Sequence, residues 1–136
     1  MTRINVVPVH ELANVHLIAE HYEIPDIFKL VRRHIRAGRS LDAVRDRIPE
    51  TYRYGTGHQS FFMDKLLWLE IRHQDIKVEM RRRRVKVSDM RMLRDLYPEI
   101  LPEWYGMYWP TEDALAINRA LIEERLADMR ARGMKV

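Results

Sequence analysis

The chain has 136 residues, 46% of them apolar and 32% charged, which describes a globular protein with room for one core and not comfortably for two. It has no cysteine, which excludes disulfides, thiolate nucleophiles and cysteine metal sites. The net charge is +4 and the pI about 9.6, with arginine at 19 of the 24 basic positions, the side chain suited to bidentate phosphate contacts and stacking on bases.

Taken in chain order, the sequence predicts helices and little else. Residues 9 to about 38 read as helix, with Leu12, Ala19, Ile27, Phe28, Val31 and Ile35 supplying apolar faces. Pro25 should kink or restart that helix, and Gly38 should stop it. Residues 40–49 read as a short helical turn and a connection, and residues 52–58 as irregular, with Gly55 and Gly57 two apart. A second helix fits Ser60 to about Arg84 through Phe62, Leu66, Leu69, Ile76 and Met80, with Trp68 in the core. Residues 85–109 are expected to be mostly loop, with a short helix from Ser88; there Trp104, Tyr105, Tyr108 and Trp109 either stack on unpaired bases or pack beneath the last helix. Thr111 is the expected N-cap of a third helix lined by Leu115, Ile122, Leu126 and Met129. The fold class expected is an all-α, compact single domain of three main helices with irregular connecting loops, spanning residues 1–136. No apolar run reaches the ~18 residues of a membrane span and none resembles a signal peptide, so a cytoplasmic monomer is expected.

The chemistry is concentrated on the first helix. His16, Glu20 and Glu23 are spaced i, i+4, i+7 and so share one stripe, with Glu23 just before Pro25. The stripe reads either as a solvated, salt-bridged face or as part of a site. The basic clusters Arg32-Arg33-His34 and Arg81 to Arg84 favour a polyanionic partner, against the alternative of a helical surface paired with the 20 interspersed acids. Gly55-Thr56-Gly57-His58 has no following lysine and reads as a tight turn before a helix more readily than as a phosphate loop. His10, His16 and His21 lack zinc-site spacing, so no metal is expected.

The opening Met1-Thr2-Arg3-Ile4-Asn5, then Glu11-Leu12-Ala13, His16-Leu17, Ala19-Glu20, Glu23 and Pro25, closely resemble the pyrimidine-dimer DNA glycosylases of the phage endonuclease V type. The similarity continues through Val31-Arg32, His34, Gly55, Gly57-His58, Phe61-Phe62 and Asp64-Lys65-Leu66, and returns at Gly106, Tyr108, Pro110, Glu112 and Ala116-Ile117. The resemblance implies that the α-amine of Thr2, freed by removal of Met1, attacks C1′ of the damaged nucleotide, displaces the base and forms an imine. It implies that Glu23 assists and then promotes β-elimination on the 3′ side. An α-amine suits this role, because its pKa near ~8 leaves roughly a tenth of it unprotonated at neutral pH. Arg3 and His16 match family positions near the sugar and phosphates, Arg32 and Arg33 fall in a basic DNA-contacting stretch, and Arg125 stands in for a lysine of the last helix. The implied partner is double-stranded DNA containing damaged bases or abasic sites, with a base flipped out of the duplex and no cofactor.

Departures from the family pattern fall on the surface that reads the lesion. Asp26 and Tyr22 each replace an arginine, Val15 a glutamine and Leu121 a basic residue, and the aromatic, basic tail of the phage enzyme has no counterpart after Lys135-Val136. Tyr22 thus keeps a DNA-facing position with changed chemistry. Three readings follow: a dimer glycosylase with lyase activity, the same imine chemistry on another damaged or modified base, or a helical DNA-binding protein without catalysis.

Overall fold

The computed structural model describes residues 3–136, and among them six α-helices are joined by irregular segments without a β-strand. They are α1 (Asn14–Arg36), α2 (Leu41–Val44), α3 (His58–Phe61), α4 (Leu66–Arg82), α5 (Leu93–Leu96) and α6 (Glu112–Ala131). The three long ones match the three expected, and the fold is all-α. A 3₁₀ turn at Val9–Glu11 precedes α1, so the first helix begins later than its apolar pattern suggests.

α1 runs through Pro25 without a break. Proline has no N–H to bind the carbonyl four residues earlier, here that of His21. Nε2 of His73 on α4 lies 3.1 Å from that carbonyl and satisfies it from outside the helix. The expected restart at Pro25 therefore does not occur, because a neighbouring helix supplies the missing donor. At the far end Arg39 N–H binds the His34 carbonyl at 2.9 Å and Gly38 N–H that of Ile35 at 3.0 Å, the paired bonds of a Schellman stop.

The expected second helix is split. Gly106 N–H donates to the Asp64 carbonyl at 3.1 Å, and Trp68 N–H to the Gly106 carbonyl at 3.3 Å, so the connecting loop takes backbone groups that a continuous helix would use. A Cβ at Gly106 would sit 2.3 Å from the Asp64 oxygen, which is why glycine stands there. α3 and α4 are the two pieces, and α4 packs along α1.

The core gathers Leu17, Ile24, Ile27 and Phe28 from α1 with Phe61, Phe62, Leu66 and Leu69, all essentially inaccessible to solvent. Of the loop aromatics, Trp104 is fully buried against His34, Tyr105 meets Phe28, and Tyr108 meets Phe61 and Trp68. They pack on α1, α3 and α4, and Trp109 alone of the four is exposed. α6 begins at its expected cap, the Thr111 hydroxyl accepting Ala114 N–H at 3.0 Å. Its fully covered residues are Ala114 and Asn118, whereas Leu115, Ile122, Leu126 and Met129 are only partly covered. No helix of the described residues is long and apolar enough to cross a membrane.

Candidate active site

The segment from Arg3 to Val7 is an irregular arm threaded between the helices, with residues 4–7 buried. An irregular backbone in a core must find partners for every N–H and C=O. Here side chains supply them. Arg3 N–H donates to Glu23 Oε2 at 2.8 Å, Ile4 N–H to His58 Nε2 at 2.7 Å, and Asn5 N–H to Glu20 Oε1 at 3.2 Å. Val6 and Val7 N–H share Asn118 Oδ1 at 2.7 and 3.1 Å. The Ile4 carbonyl accepts from Tyr52 and the Val7 carbonyl from Arg72. Five consecutive amides are thus held by α1, α3 and α6, and the position of the arm is fixed to within a hydrogen bond at each residue.

Behind the arm, Glu20 is fully buried and ion-paired with the nearly buried Arg72, and it also accepts the Asn5 side-chain amide at 2.8 Å. Asn118 Nδ2 donates to Asn5 Oδ1 at 2.9 Å and to the Tyr54 hydroxyl at 2.6 Å. The stripe His16, Glu20, Glu23 therefore faces inward and forms the seat of the arm, where a solvated face was the alternative.

Glu23 is half-buried. Burial pushes its carboxyl above the usual carboxylate range, and the Arg3 N–H only partly offsets this. Burial, then the charges of Arg125 and Arg3, hold the His16 imidazole below its ordinary pKa. Arg125 reaches from α6 with its guanidinium 5.3 Å from the Tyr54 ring centre. Burial and the charge of Arg3 press on that guanidinium in turn. Arg3 and Arg125 line a groove of about 410 Å³ together with Tyr54, Gly55, Gly57 and Gln59. Among the described residues, Nε of Arg3 and both ring nitrogens of His16 are buried without a hydrogen-bond partner. Two arginines thus line one groove, with the half-buried Glu23 carboxylate and the His16 imidazole close enough to feel their charges, and such a groove suits a polyanion.

The other expected site residues are distributed differently. Thr2 lies outside the described residues. Tyr22 is 65% exposed and borders a second groove with His21, Pro25 and Lys29. Arg32 lies 3.8 Å from Glu99 and 4.8 Å from the Tyr97 ring centre, engaged within the protein. Arg33 is exposed ten residues beyond Glu23, roughly 15 Å along the helix axis. The Arg81 to Arg84 cluster follows the salt-bridged alternative in part: Arg82 and Arg83 both pair with Glu79, and Arg83 also holds the carbonyls of Leu12 and His10.

Sequence reasoning missed His58, Asn118, Tyr52 and Tyr54 as parts of this site. A signal existed for Asn118. Asn5 interrupts an otherwise apolar Ile4 to Val7 run and needs a buried polar partner, and Asn118 sits at the covered face of α6 where an apolar residue would be ordinary.

An all-α scaffold with an arginine-lined groove near a partly buried carboxylate suits a polyanionic partner. A sequence model of the pyrimidine dimer DNA glycosylase family matches residues 1–92, more than half of the chain, and the chain belongs to that family. Membership carries the coarse function, DNA repair by a glycosylase directed at pyrimidine dimers. Arg125, which lines the groove, and Asn118, which holds the arm, lie beyond the matched span.

Proposed function

We propose that the protein cleaves the N-glycosyl bond at cyclobutane pyrimidine dimers through an imine on the α-amine of Thr2 and then nicks the strand as an abasic-site lyase. The observation that carries this is the Arg3 N–H bond to Glu23 Oε2. Thr2 is one peptide bond from that amide, so a free α-amine there is tethered within a few ångströms of the carboxylate. The amine attacks C1′, the C1′–N bond breaks, and its electron pair leaves with the base. The nitrogen loses a proton, the C1′–O4′ bond breaks as O4′ takes its electron pair and a proton, and the result is a cationic imine, which Glu23 stabilises as the nearby anion. Removal of a proton from C2′ then expels the 3′ phosphate by breaking the C3′–O bond. A carboxyl whose pKa is raised by burial exchanges protons nearer to neutral pH than a solvated one, as both steps require.

Arg3 and Arg125 supply cations for the phosphates, and the unpartnered atoms of Arg3 and His16 leave donors and acceptors for the sugar and backbone. A second reading, the same chemistry on a different damaged base, is favoured by Asp26 and the exposed Tyr22, which put an acid and a neutral ring where the family has arginines. Three matched duplexes test both: intact, with one pyrimidine dimer, and with one abasic site, each incubated with and without borohydride. Nicking and covalent trapping on the last two are expected. Action on the abasic duplex alone would reject dimer specificity, and trapping on neither would reject the imine. A verified extension before Thr2 should abolish nicking while leaving DNA binding.

A further inference from the structure

His58 is placed by its own turn. Gly57 precedes it at φ +90°, a conformation that side chains rarely adopt, and the turn aims the ring at the arm. Nδ1 lies 2.7 Å from the Arg53 carbonyl, which can only accept, so the ring proton is on Nδ1. Nε2 is then a lone pair, and it receives Ile4 N–H at 2.7 Å. Ile4 is fully buried, so water does not replace this acceptor. A protonated ring carries hydrogen on both nitrogens and would meet Ile4 N–H donor to donor.

The ring is enclosed by Tyr54 stacked at 5.3 Å, with Phe62 and Tyr52 edge-on at 5.5 and 5.7 Å. Burial, together with the charges of Arg125 and Arg3, opposes a positive charge there, while the Arg53 carbonyl and Glu20 favour one. Tyr52 and Tyr54, the remaining titratable groups against it, are held protonated by burial well above neutral pH.

We propose that His58 is a positioning residue for the amino-terminal nucleophile: its neutral ring latches the arm at Ile4, two residues from Thr2, and its protonation unlatches the arm. The functional consequence rests on the Thr2 reading above, and the latch itself does not. The arm is therefore held at all five amides only while the ring is neutral, and acid loosens it at Ile4.

The test is hydrogen exchange of the peptide covering residues 3–7, corrected for intrinsic rates, from about pH 7.5 to about pH 5. It is run on the wild type, His58→Gln and His58→Ala. Glutamine offers an acceptor oxygen as many bonds from Cβ as Nε2 and does not titrate. Protection of the arm should fall about tenfold or more on acidification of the wild type, the worth of one hydrogen bond. It should stay level in His58→Gln and be low at every pH in His58→Ala. Single-turnover borohydride trapping on a one-abasic-site duplex, at protein concentrations that saturate the DNA, should follow the same order. Acid loss in His58→Gln equal to that of wild type would overturn the latch and assign the effect to another group such as Glu23. Wild-type protection in His58→Ala would overturn it too, and if that variant does not fold, the His58→Gln comparison decides alone. Arm protection behaving as expected without any wild-type trapping would uphold the latch and reject the imine.

Discussion

Two carboxylates one helical turn apart have opposite duties. Glu23 is half-buried and, among the described residues, bound by the Arg3 amide, whereas Glu20 is fully enclosed and committed to Arg72 and Asn5. Glu23→Gln retains an oxygen for Arg3 N–H and loses the charge. Nicking of an abasic duplex should fall by about 10² or more, the scale of a lost acid/base group, with the thermal midpoint nearly unchanged; turnover within a few-fold of wild type would remove Glu23 from the chemistry. Arg72→Met should do the reverse. It leaves Glu20 charged and unpaired in the core, so unfolding by denaturant should reveal a loss of about 3–5 kcal/mol. A variant as stable as wild type would mean that the Glu20–Arg72 pair contributes nothing net to stability.

At the level of the elements, α1 and α4 are joined where α1 is defective. Replacing His73 by leucine strands the His21 carbonyl and should cost about 1–3 kcal/mol. In a Pro25→Ala background the cost should shrink, because the alanine brings an N–H that can close the helical bond itself. Additive losses in that double-mutant cycle would show that the His73 contact is incidental. The same imidazole makes stability depend on pH. Burial, then the charge of Lys77, depresses its pKa from 6.5 to about 4. The unfolded chain therefore takes up the proton first, so the contribution of His73 is complete above about pH 6.5 and is lost as the pH falls towards about 4. Denaturant midpoints across that window should decline less steeply in His73→Gln. Gly106→Ala belongs to this scale as well, since its methyl would collide with the Asp64 carbonyl. The α3–α4 junction should shift, at a cost of about 1–3 kcal/mol.

For the whole molecule, several of the 19 arginines are engaged within the protein. Arg72, Arg82, Arg83, Arg91 and Arg119 are all ion-paired within the protein, and Arg32 and Arg36 both approach Glu99. On the proposed function, the groove arginines Arg3 and Arg125, with exposed residues such as Arg33, are the ones expected to meet phosphates. Four to six such contacts give a slope of about −4 to −5 for log K against log salt. Arg125→Ala should reduce that slope in magnitude by about one, and Arg91→Ala, whose side chain pairs with Asp89, should leave it alone. A slope near zero in the wild type would refute the arginine-lined DNA face.

What the sequence determined by itself was whatever depends on neighbours along the chain. Helical periodicity marked three long helices, Thr111 and Gly38 marked a start and a stop, and the spacing of His16, Glu20 and Glu23 put them on one stripe. The opening residues with the Gly55 to Leu66 segment carried the family resemblance, and the family match upheld it. The tertiary structure decided which way that stripe faces, because burial depends on what packs against it. It kept α1 whole across Pro25 through a donor on a different helix, and it broke the second helix with a backbone contact from Gly106. It also decided how the arm is held. His58 and Asn118 lie 54 and 112 residues from the amides they receive, and a hydrogen bond closed by folding leaves no periodic trace in the chain that makes it.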